Sequence, residues 1–329
     1  MTAWTVAILS SREAPAVLAA TAEAAVRAVG GQDAVIDIVV NGNAELAASM
    51  AALLPALPLA AAPLACVRLW ELPLGDKAHA WNSYLHAIWP DSDLAFFLDG
   101  YVAPRPDAFA LIAEGLRGAP GAIAATGVPS VGRTARQMRD RLLREGGLHG
   151  NLHALRGETM RRFRDAGFRL PLGLYRTDAL LNSSMSFNLD PARHEWDRHR
   201  VLVHPEVSWT LRPLSWYRPR DLLAHLRRKL RQRQGELEKR AFGDHLANRR
   251  LRPEGLPGTA VEMVAGWLRD SPDAARQFLA RSPLLRLAAR RLLARPRDWA
   301  AAREPPRLVA ALGALPGSRT VGTANLTIS

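Results

Sequence analysis

Short apolar runs alternate with segments of helical period over the first 130 residues, and this alternation limits the possible folds. Four runs predict buried strands, at Thr5–Ser11, Ala34–Asn43, Cys66–Leu72 and 94–100, and Gly121–Pro129 is a candidate fifth. The segments between and after them predict helices, at Ala16–Val29, Ala44–Leu54, Asp76–Trp89 and Pro106–Leu116. Because wholly apolar strands separated by helices form sheets covered on both faces, we predict an α/β fold with a mainly parallel sheet.

The second half of the chain has a different pattern. Residues 132–213 are irregular, with a helix predicted at Arg133–Glu145 and a strand at Arg200–Leu211. From Pro219 onward we predict only helices, at Arg220–Arg250, Thr259–Asp270, Ala274–Ala280, Pro283–Ala294 and Trp299–Leu312, followed by a loose tail of about a dozen residues. The chain therefore divides into an α/β region, 1–215, and an α-helical C-terminal region, 216–329.

Charge and cysteine content limit the class of protein. Residues 1–130 hold 6 Lys and Arg against 12 Asp and Glu, whereas residues 131–329 hold 38 against 19, which makes the net charge +13. This asymmetry suggests different partners for the two halves, unless it reflects only an Arg-rich genome. The single Cys66 excludes a disulfide framework. With no signal-peptide pattern or membrane-spanning run, we expect a cytoplasmic location.

Small and polar residues follow three of the predicted strands. They are Ser10-Ser11-Arg12, Asn41-Gly42-Asn43 and Asp99-Gly100-Tyr101. In open α/β sheets ligands bind at the carboxyl ends of the strands, so these residues are candidates for a binding site. No G-x-G-x-x-G follows the first strand, which disfavours a dinucleotide site.

Two longer blocks carry a family resemblance. The segment "GDKAHAWNSYLHAIWPDSDLAFFLDGYVAPRPDAFALI" (75–112) resembles the central block of family 2 glycosyltransferases with the GT-A fold, in which a Gly-x-Lys-x-x-x-x-Asn helix leads to a strand ending in Asp-x-Asp. The segment "GNLHALRGETMRRFRDAGFRLPLGLYRTDALL" (150–181) is similar to the acceptor-side block of that family. With the first two strands, the resemblance covers roughly residues 3–215, and it implies a Rossmann-like GT-A domain.

The resemblance implies transfer of a sugar from a nucleoside diphosphate to an acceptor hydroxyl, with inversion. The residues implied to bind the donor nucleotide are Ser10, Asn41, Lys77, Asn82, Asp99 and Tyr101. An ammonium such as that of Lys77 suits the charge that develops on a leaving diphosphate. Five of the six positions also have a plain structural alternative: a turn for Asp99 and Asn41, a solvated first-turn residue for Lys77, packing for Tyr101, and support of the adjoining loop for Asn82.

On the acceptor side, the resemblance implies that Asp178 is the general base that deprotonates the attacking hydroxyl. An N-cap for the following helix is the alternative, and one carboxylate can serve both roles. Arg156 is implied to order the acceptor loop or to contact phosphate, with a structural salt bridge as the alternative.

The chain departs from the family where a metal would bind. Asp-x-Asp has become Asp99-Gly100-Tyr101, and one carboxylate is a poor cage for Mg²⁺ or Mn²⁺. His204 occupies the sequence position at which many GT-A enzymes bring a late His to the metal; a hydrogen-bonded core His is the alternative. A mechanism without a divalent cation, using Lys or Arg, is therefore left open.

The segment from Arg218 to Arg252 holds twelve Lys and Arg against four acids. With its stripe of leucines, it suits an anionic membrane surface or a phosphorylated or lipid-linked acceptor, and a solvated helix is the alternative.

Two other functions remain: a GT-A scaffold that binds nucleotide without turnover, and a basic nucleic-acid-binding protein. The second is disfavoured because the Arg-rich part lacks interleaved aromatic residues.

Overall fold

The predicted strands form the centre of an eight-stranded sheet in the computed structural model, which describes residues 2–130, 135–211, 221–294 and 297–313. The strand order is β10-β3-β2-β1-β4-β7-β6-β8, and β5 and β9 form a separate two-stranded sheet. The strands are β1 Thr2–Ser10, β2 Ala34–Asn41, β3 Ala65–Leu72, β4 Ser92–Asp99, β5 Val102–Pro104, β6 Ala124–Thr126, β7 Leu152–Arg156, β8 Val201–Val203, β9 Trp209–Leu211 and β10 Arg307–Leu312.

The four longest strands are parallel neighbours, as their apolar sequences predict. In register, Ile8 of β1 pairs with Ile38 of β2 on one side and Leu98 of β4 on the other. All their carboxyl ends therefore lie at one edge of the sheet, which we call the C-terminal edge. Strand β7 runs antiparallel to β4, so the residues that precede β7 lie at this edge. This arrangement gathers the loops after β1, β2, β3 and β4 around the start of β7.

Helices cover both faces of the sheet, which confirms the predicted layers. The helices are α1 Pro15–Val29, α2 Ala44–Leu53, α3 Lys77–Ser83, α4 Ala108–Gly118, α5 Ala135–Glu145, α6 Gly157–Asp165, α7 Thr177–Ser186, α8 Asp221–Gly243, α9 Ala260–Asp270, α10 Pro272–Ala280 and α11 Pro283–Leu293. One buried cluster holds Leu18, Met50 and Phe109 from α1, α2 and α4. A second holds Trp81 and Phe163 from α3 and α6.

The C-terminal helices belong to the second cluster. Phe242 of α8, Trp267 of α9 and Phe278 of α10 pack in the same apolar core as Trp81 and Phe97 of the α/β region. The predicted boundary at 215/216 falls outside the described residues. No described helix has the length and the apolar character needed to cross a bilayer.

Two secondary-structure predictions need correction. The predicted helix Trp299–Leu312 is wrong: residues 300–303 form one 3₁₀ turn, and Arg307–Leu312 forms β10, antiparallel to β3. The consecutive Pro305 and Pro306 explain this, because proline lacks the N–H that a helix needs and disfavours a helical residue before it. The predicted strand Arg200–Leu211 is two short strands, β8 and β9. The predicted loose tail lies outside the described residues.

Candidate active site

The loops after β1 and β2 are tied together by side-chain amides. Asn41 Nδ2 donates to the carbonyl of Ser10 at 2.7 Å, and Asn43 Nδ2 donates to the carbonyl of Ser11 at 2.9 Å. Gly42 has φ +66°, and a Cβ at this position would lie 2.3 Å from Gly75 Cα. Only glycine permits this contact, which brings the loop after β3 against the end of β2.

An ion pair links the start of α3 to the end of β4. The Lys77 ammonium donates to Asp99 Oδ1, and the Tyr101 hydroxyl donates to Asp99 Oδ2 at 3.0 Å. The Tyr101 hydroxyl also lies 3.3 Å from Asn151 Oδ1, in the segment that leads into β7. The structure therefore brings together Lys77, Asp99 and Tyr101, three of the residues predicted to bind the donor.

The charges in this cluster shift one another's titration. Burial lowers the pKa of Lys77, but the Asp99 carboxylate, helped by Asp178 and Glu13, outweighs this and holds the pKa above its ordinary value. Burial and the Asp99 carboxylate both raise the pKa of the Tyr101 phenol. At neutral pH Lys77 is therefore a cation and Tyr101 a neutral hydrogen-bond donor.

Asp76 fixes the position from which Lys77 extends. Its Oδ1 accepts the backbone N–H of His79 at 2.9 Å, which caps α3, and its Oδ2 accepts the backbone N–H of Gly173 at 3.1 Å. The guanidinium of Arg297 lies 3.8 Å from the same carboxylate and donates to the carbonyl of Gly75 at 2.9 Å. One side chain thus joins the start of α3 to the segment 172–176 that leads into α7.

Asp178 lies in the first turn of α7 and faces the same cluster. A Cβ at Gly150, beside Asn151, would lie 3.6 Å from Asp178 Oδ2, so no side chain separates this segment from the carboxylate. The carboxylate also raises the pKa of Lys77. Helix α7 begins at Thr177, and its N-cap residue, Arg176, makes no side-chain cap, so the N-cap alternative for Asp178 is wrong. Its carboxylate is not used to start the helix.

Asn82 supports the segment before α7. Its Nδ2 donates to the Leu170 carbonyl at 2.9 Å, and its Oδ1 accepts the Leu170 N–H at 2.8 Å. Both ends of the buried amide are therefore occupied by backbone. We assign Asn82 to the alternative role of holding this segment, in place of the predicted donor contact.

Two predicted site residues lie elsewhere. Because β7 is antiparallel to β4, Arg156 pairs with Leu94 at the opposite edge of the sheet, about 17 Å of strand from Asn151. Its guanidinium donates to the carbonyls of Leu116, Ala119 and Ala122, so its predicted contact with acceptor or phosphate is wrong.

His204 follows β8, three strands away from β4, or about 14 Å at ~4.8 Å per strand. Its Nδ1 accepts the N–H of Glu206, and its ring lies against Gly115 of α4. It cannot ligate a metal together with Asp99, and the predicted metal role of His204 is wrong. His204 makes a hydrogen bond, as the alternative of a core His expects, but its side chain is only partly buried.

The residues present do not fit a divalent cation. Asp99 is the carboxylate at the end of β4, and both its oxygens are engaged, one by Lys77 and one by Tyr101. Within the described ranges, no three His, Cys, Asp or Glu residues are grouped so that they could hold an ion.

Three further residues of the site had no signal in the sequence. Glu13 accepts the Ser10 hydroxyl at 2.6 Å and the N–H groups of Ser11 and Arg12, which fixes the loop after β1. His149 precedes β7. Burial and the Lys77 ammonium lower the pKa of His149, and the carboxylates of Asp178 and Asp99 oppose this shift. Because the charges of Lys77, Asp99 and Asp178 all act on this pKa, the His149 ring lies near the cluster.

The third is Glu238 of α8, whose side chain is fully buried. Its Oε2 accepts the backbone N–H groups of Tyr175 and Arg176, at 3.0 and 3.3 Å. A long-range contact of this kind leaves no periodic pattern in a sequence. Glu238 thereby holds the residues directly before α7 and Asp178.

No protein-family model and no curated protein sequence matches the chain. Among solved structures, the mannosyltransferase PcManGT from Pyrobaculum calidifontis, in complex with GDP-Man and Mn²⁺, superposes with TM-score 0.52 at 18% identity, over 92% of this chain and 86% of that one.

Two weaker matches are glucosyl-3-phosphoglycerate synthase from Mycobacterium tuberculosis and Staphylococcus aureus TarS 1–349. The first has TM-score 0.44 at 16% identity over 72% and 78% of the chains, and the second has 0.48 at 10% over 89% and 90%. The likeness to the mannosyltransferase, together with the observed sheet and its two helical layers, shows the predicted GT-A, Rossmann-like fold.

Proposed function

We propose that the chain is a glycosyltransferase that moves a sugar from a nucleoside-diphosphate sugar to an acceptor hydroxyl, with inversion. The observation that supports this most is the meeting of Lys77, Asp99 and Tyr101 with Asp178 at the C-terminal edge of a GT-A sheet. A cation and a carboxylate near one another are what a displacement with an anionic leaving group and a protonated nucleophile requires.

In this mechanism the donor lies across the ends of β1, β2 and β4, with its nucleoside near Ser10 and Asn41. The Lys77 ammonium, held by Asp99, neutralises the diphosphate as the bond between its oxygen and the anomeric carbon breaks. The acceptor oxygen attacks the opposite face of that carbon, and its proton passes to Asp178. A single displacement inverts the anomeric configuration.

We further propose that the diphosphate is neutralised without a divalent cation. Asp99 is occupied by Lys77 and Tyr101, and His204, the second ligand predicted from the sequence, lies three strands away. The structurally similar mannosyltransferase was solved with GDP-Man and Mn²⁺. Guanosine nucleotides are therefore the first donors to test, in EDTA as well as with Mn²⁺.

The experiment is a screen of GDP-, UDP- and dTDP-sugars for nucleoside diphosphate release, with NMR assignment of the anomeric configuration of any product. We expect Asp178→Asn to lower turnover by roughly 10²–10⁴-fold while donor binding is retained. Asp165→Asn, on an exposed side chain of α6, is the matched control. Equal turnover in the two variants would refute the role of Asp178.

A second candidate function is a GT-A scaffold that binds nucleotide without turnover. The observation that favours it is Tyr101, which stands in place of the second acid of Asp-x-Asp. Nucleotide binding with no release from any donor in the same screen would establish that alternative.

The basic segment 218–252 supports a further part of the proposal, a cytoplasmic protein that associates with anionic membrane and uses a lipid-linked acceptor. Flotation with vesicles containing phosphatidylglycerol tests this part separately.

A further inference from the structure

A cavity of about 480 Å³ lies between the C-terminal helices and the segment before α7. Its walls come from the loop after β1, from α8, α9 and α11, and from the residues after α11. The lining includes Arg12, Arg231, Arg291, Arg297, Leu230 and Trp299. Its volume is in the range of sites that hold small organic molecules.

The cavity is strongly basic. Among the side chains that the structure describes, four arginines line it and no acidic residue does. Among the ion pairs of the described residues, only Arg297 of the four has a carboxylate partner, Asp76 at 3.8 Å. Guanidinium groups present paired N–H donors that match the oxygens of a phosphate group. This lining favours a ligand with a dianionic group.

Apart from Gln234, the remaining described side chains of the wall are apolar. Leu230 lies on α8, Leu292 on α11, and the Trp299 ring lies beneath the Arg297 guanidinium at 4.8 Å from its centroid. A Cβ at Gly173 would lie 3.1 Å from this ring, so glycine here lets the indole pack against the segment before α7. A ligand that fills the cavity therefore has carbon atoms next to its anionic group.

Two residues of the cavity wall contact the loop that precedes Lys77. Gly173 lines it and donates its N–H to Asp76, the residue before Lys77. Arg297 lines it and donates to the carbonyl of Gly75. From Gly173 the chain runs directly to Asp178, five residues on. The arginine-lined cavity therefore adjoins the segment that leads to the candidate base.

We propose that this cavity binds the phosphate group of the acceptor, so that the acceptor is a phosphate ester with a hydroxyl and a carbon skeleton. This inference rests on the proposed function, because it assigns one substrate of that reaction. Arg231 and Arg291 hold the phosphate from the helical side, and Arg12 and Arg297 hold it from the sheet side. The donor diphosphate stays with Lys77.

The test measures binding of three probes by isothermal titration calorimetry: inorganic phosphate, glycerol 3-phosphate and 1-hexanoyl lysophosphatidic acid, a lipid that carries both a phosphate and a free hydroxyl. Variants Arg231→Ala and Arg291→Ala are compared with Lys229→Ala and Arg290→Ala, which remove exposed cations of the same two helices that do not line the cavity. We expect the first pair to weaken binding of the ester probes by about tenfold or more, and the second pair by less than about twofold.

Affinity of the wild-type protein for the two esters identifies the source of the ligand. Tighter binding of glycerol 3-phosphate indicates a soluble acceptor, and tighter binding of lysophosphatidic acid indicates a lipid one. Absence of binding by both esters, or equal losses in all four variants, would overturn the proposal.

Nucleotide binding separates this inference from the proposed function. We expect GDP or UDP affinity to be unchanged in Arg231→Ala and Arg291→Ala and to fall in Lys77→Ala. If the first two variants lose nucleotide instead of ester, the cavity belongs to the donor and the inference is wrong. If ester binding follows the expected pattern but no donor turns over, the phosphate site stands and the proposed function fails.

Discussion

The carboxylate of Glu238 accepts a hydrogen bond of 3.0 Å from the backbone N–H of Tyr175, and this bond connects the C-terminal helices to the candidate active site. Tyr175 lies three residues before Asp178. Gly235, one turn before Glu238, allows this contact, because a Cβ there would lie 3.0 Å from the Tyr175 ring. Helix α8 is thus a support for the segment that carries the candidate base.

We expect Glu238→Gln to change how stability depends on pH. Burial raises the pKa of Glu238 to about 7, against its ordinary 4.5, although Gln234 and the two backbone N–H groups oppose this. Between these pH values the folded protein keeps a proton that the unfolded chain has lost. The stability contributed by this group is therefore full below about pH 4.5 and is lost as pH rises through about 7.

The shift corresponds to roughly 3 kcal/mol, at ~1.4 kcal/mol per pH unit. Urea unfolding at pH 5 and pH 8 measures it, and we expect Glu238→Gln to remove most of the difference between the two. Glu236→Gln, a half-exposed position on the same helix, is the control and should keep the wild-type slope. An unchanged slope in Glu238→Gln would show that the carboxylate does not titrate in this range.

Lys77→Ala tests the cation of the donor site. We expect the affinity for GDP or UDP to fall by about tenfold or more, because a charge-assisted contact to the diphosphate is lost. Titration calorimetry measures this, and Lys239→Ala, an exposed lysine of α8, is the matched control. Nucleotide affinity within about twofold of wild type in Lys77→Ala would place the diphosphate elsewhere.

Tyr101→Asp restores the second acid of Asp-x-Asp and tests why the chain lacks it. Tyr101 is 40% exposed, so the substitution is compatible with folding. In the wild-type protein we expect nucleotide affinity in EDTA and in Mn²⁺ to agree within about twofold. In Tyr101→Asp we expect Mn²⁺ to strengthen nucleotide binding, since two carboxylates then face one ion. A wild-type affinity that depends strongly on Mn²⁺ would contradict the proposal of a cation-independent site.

The buried pair of Asp37 and Arg68 predicts a loss of stability away from the site. Arg68 donates to both oxygens of the fully buried Asp37, at 2.7 and 2.9 Å. Arg68→Met leaves a buried carboxylate without its cation, and we expect a cost of about 3–5 kcal/mol in urea unfolding at pH 7. The double variant Asp37→Asn/Arg68→Met should recover part of this loss. A loss of stability below about 1 kcal/mol in Arg68→Met would indicate that groups other than Arg68 compensate the charge of Asp37.

The layered α/β fold and the position of the site could be predicted because they depend on local patterns. Mainly apolar strands such as Thr2–Ser10 and Ser92–Asp99 bury most residues of both faces, and helices between them impose a parallel order. Once that order is known, residues at strand ends, such as Asn41 and Asp99, must share an edge. The weakened metal site that Asp99-Gly100-Tyr101 indicates stays a prediction.

Arg156 and His204 could not be placed in the same way. Their positions depend on the antiparallel direction of β7 and on the sheet order, which are set by contacts far apart in sequence. The strand Arg307–Leu312 was mistaken for a helix for a related reason: its strand conformation is stabilised by pairing with β3, more than 230 residues earlier.

The amino-acid sequence by itself determined the alternation of strands and helices and the chemical groups at the strand ends, because these follow from the period and burial of nearby residues. The tertiary structure alone decided that Lys77 lies against Asp99, that Glu238 holds the segment before Asp178, and that four arginines from distant segments line one cavity. Such contacts form only when the chain packs, since each joins residues whose spacing in sequence carries no periodic signal.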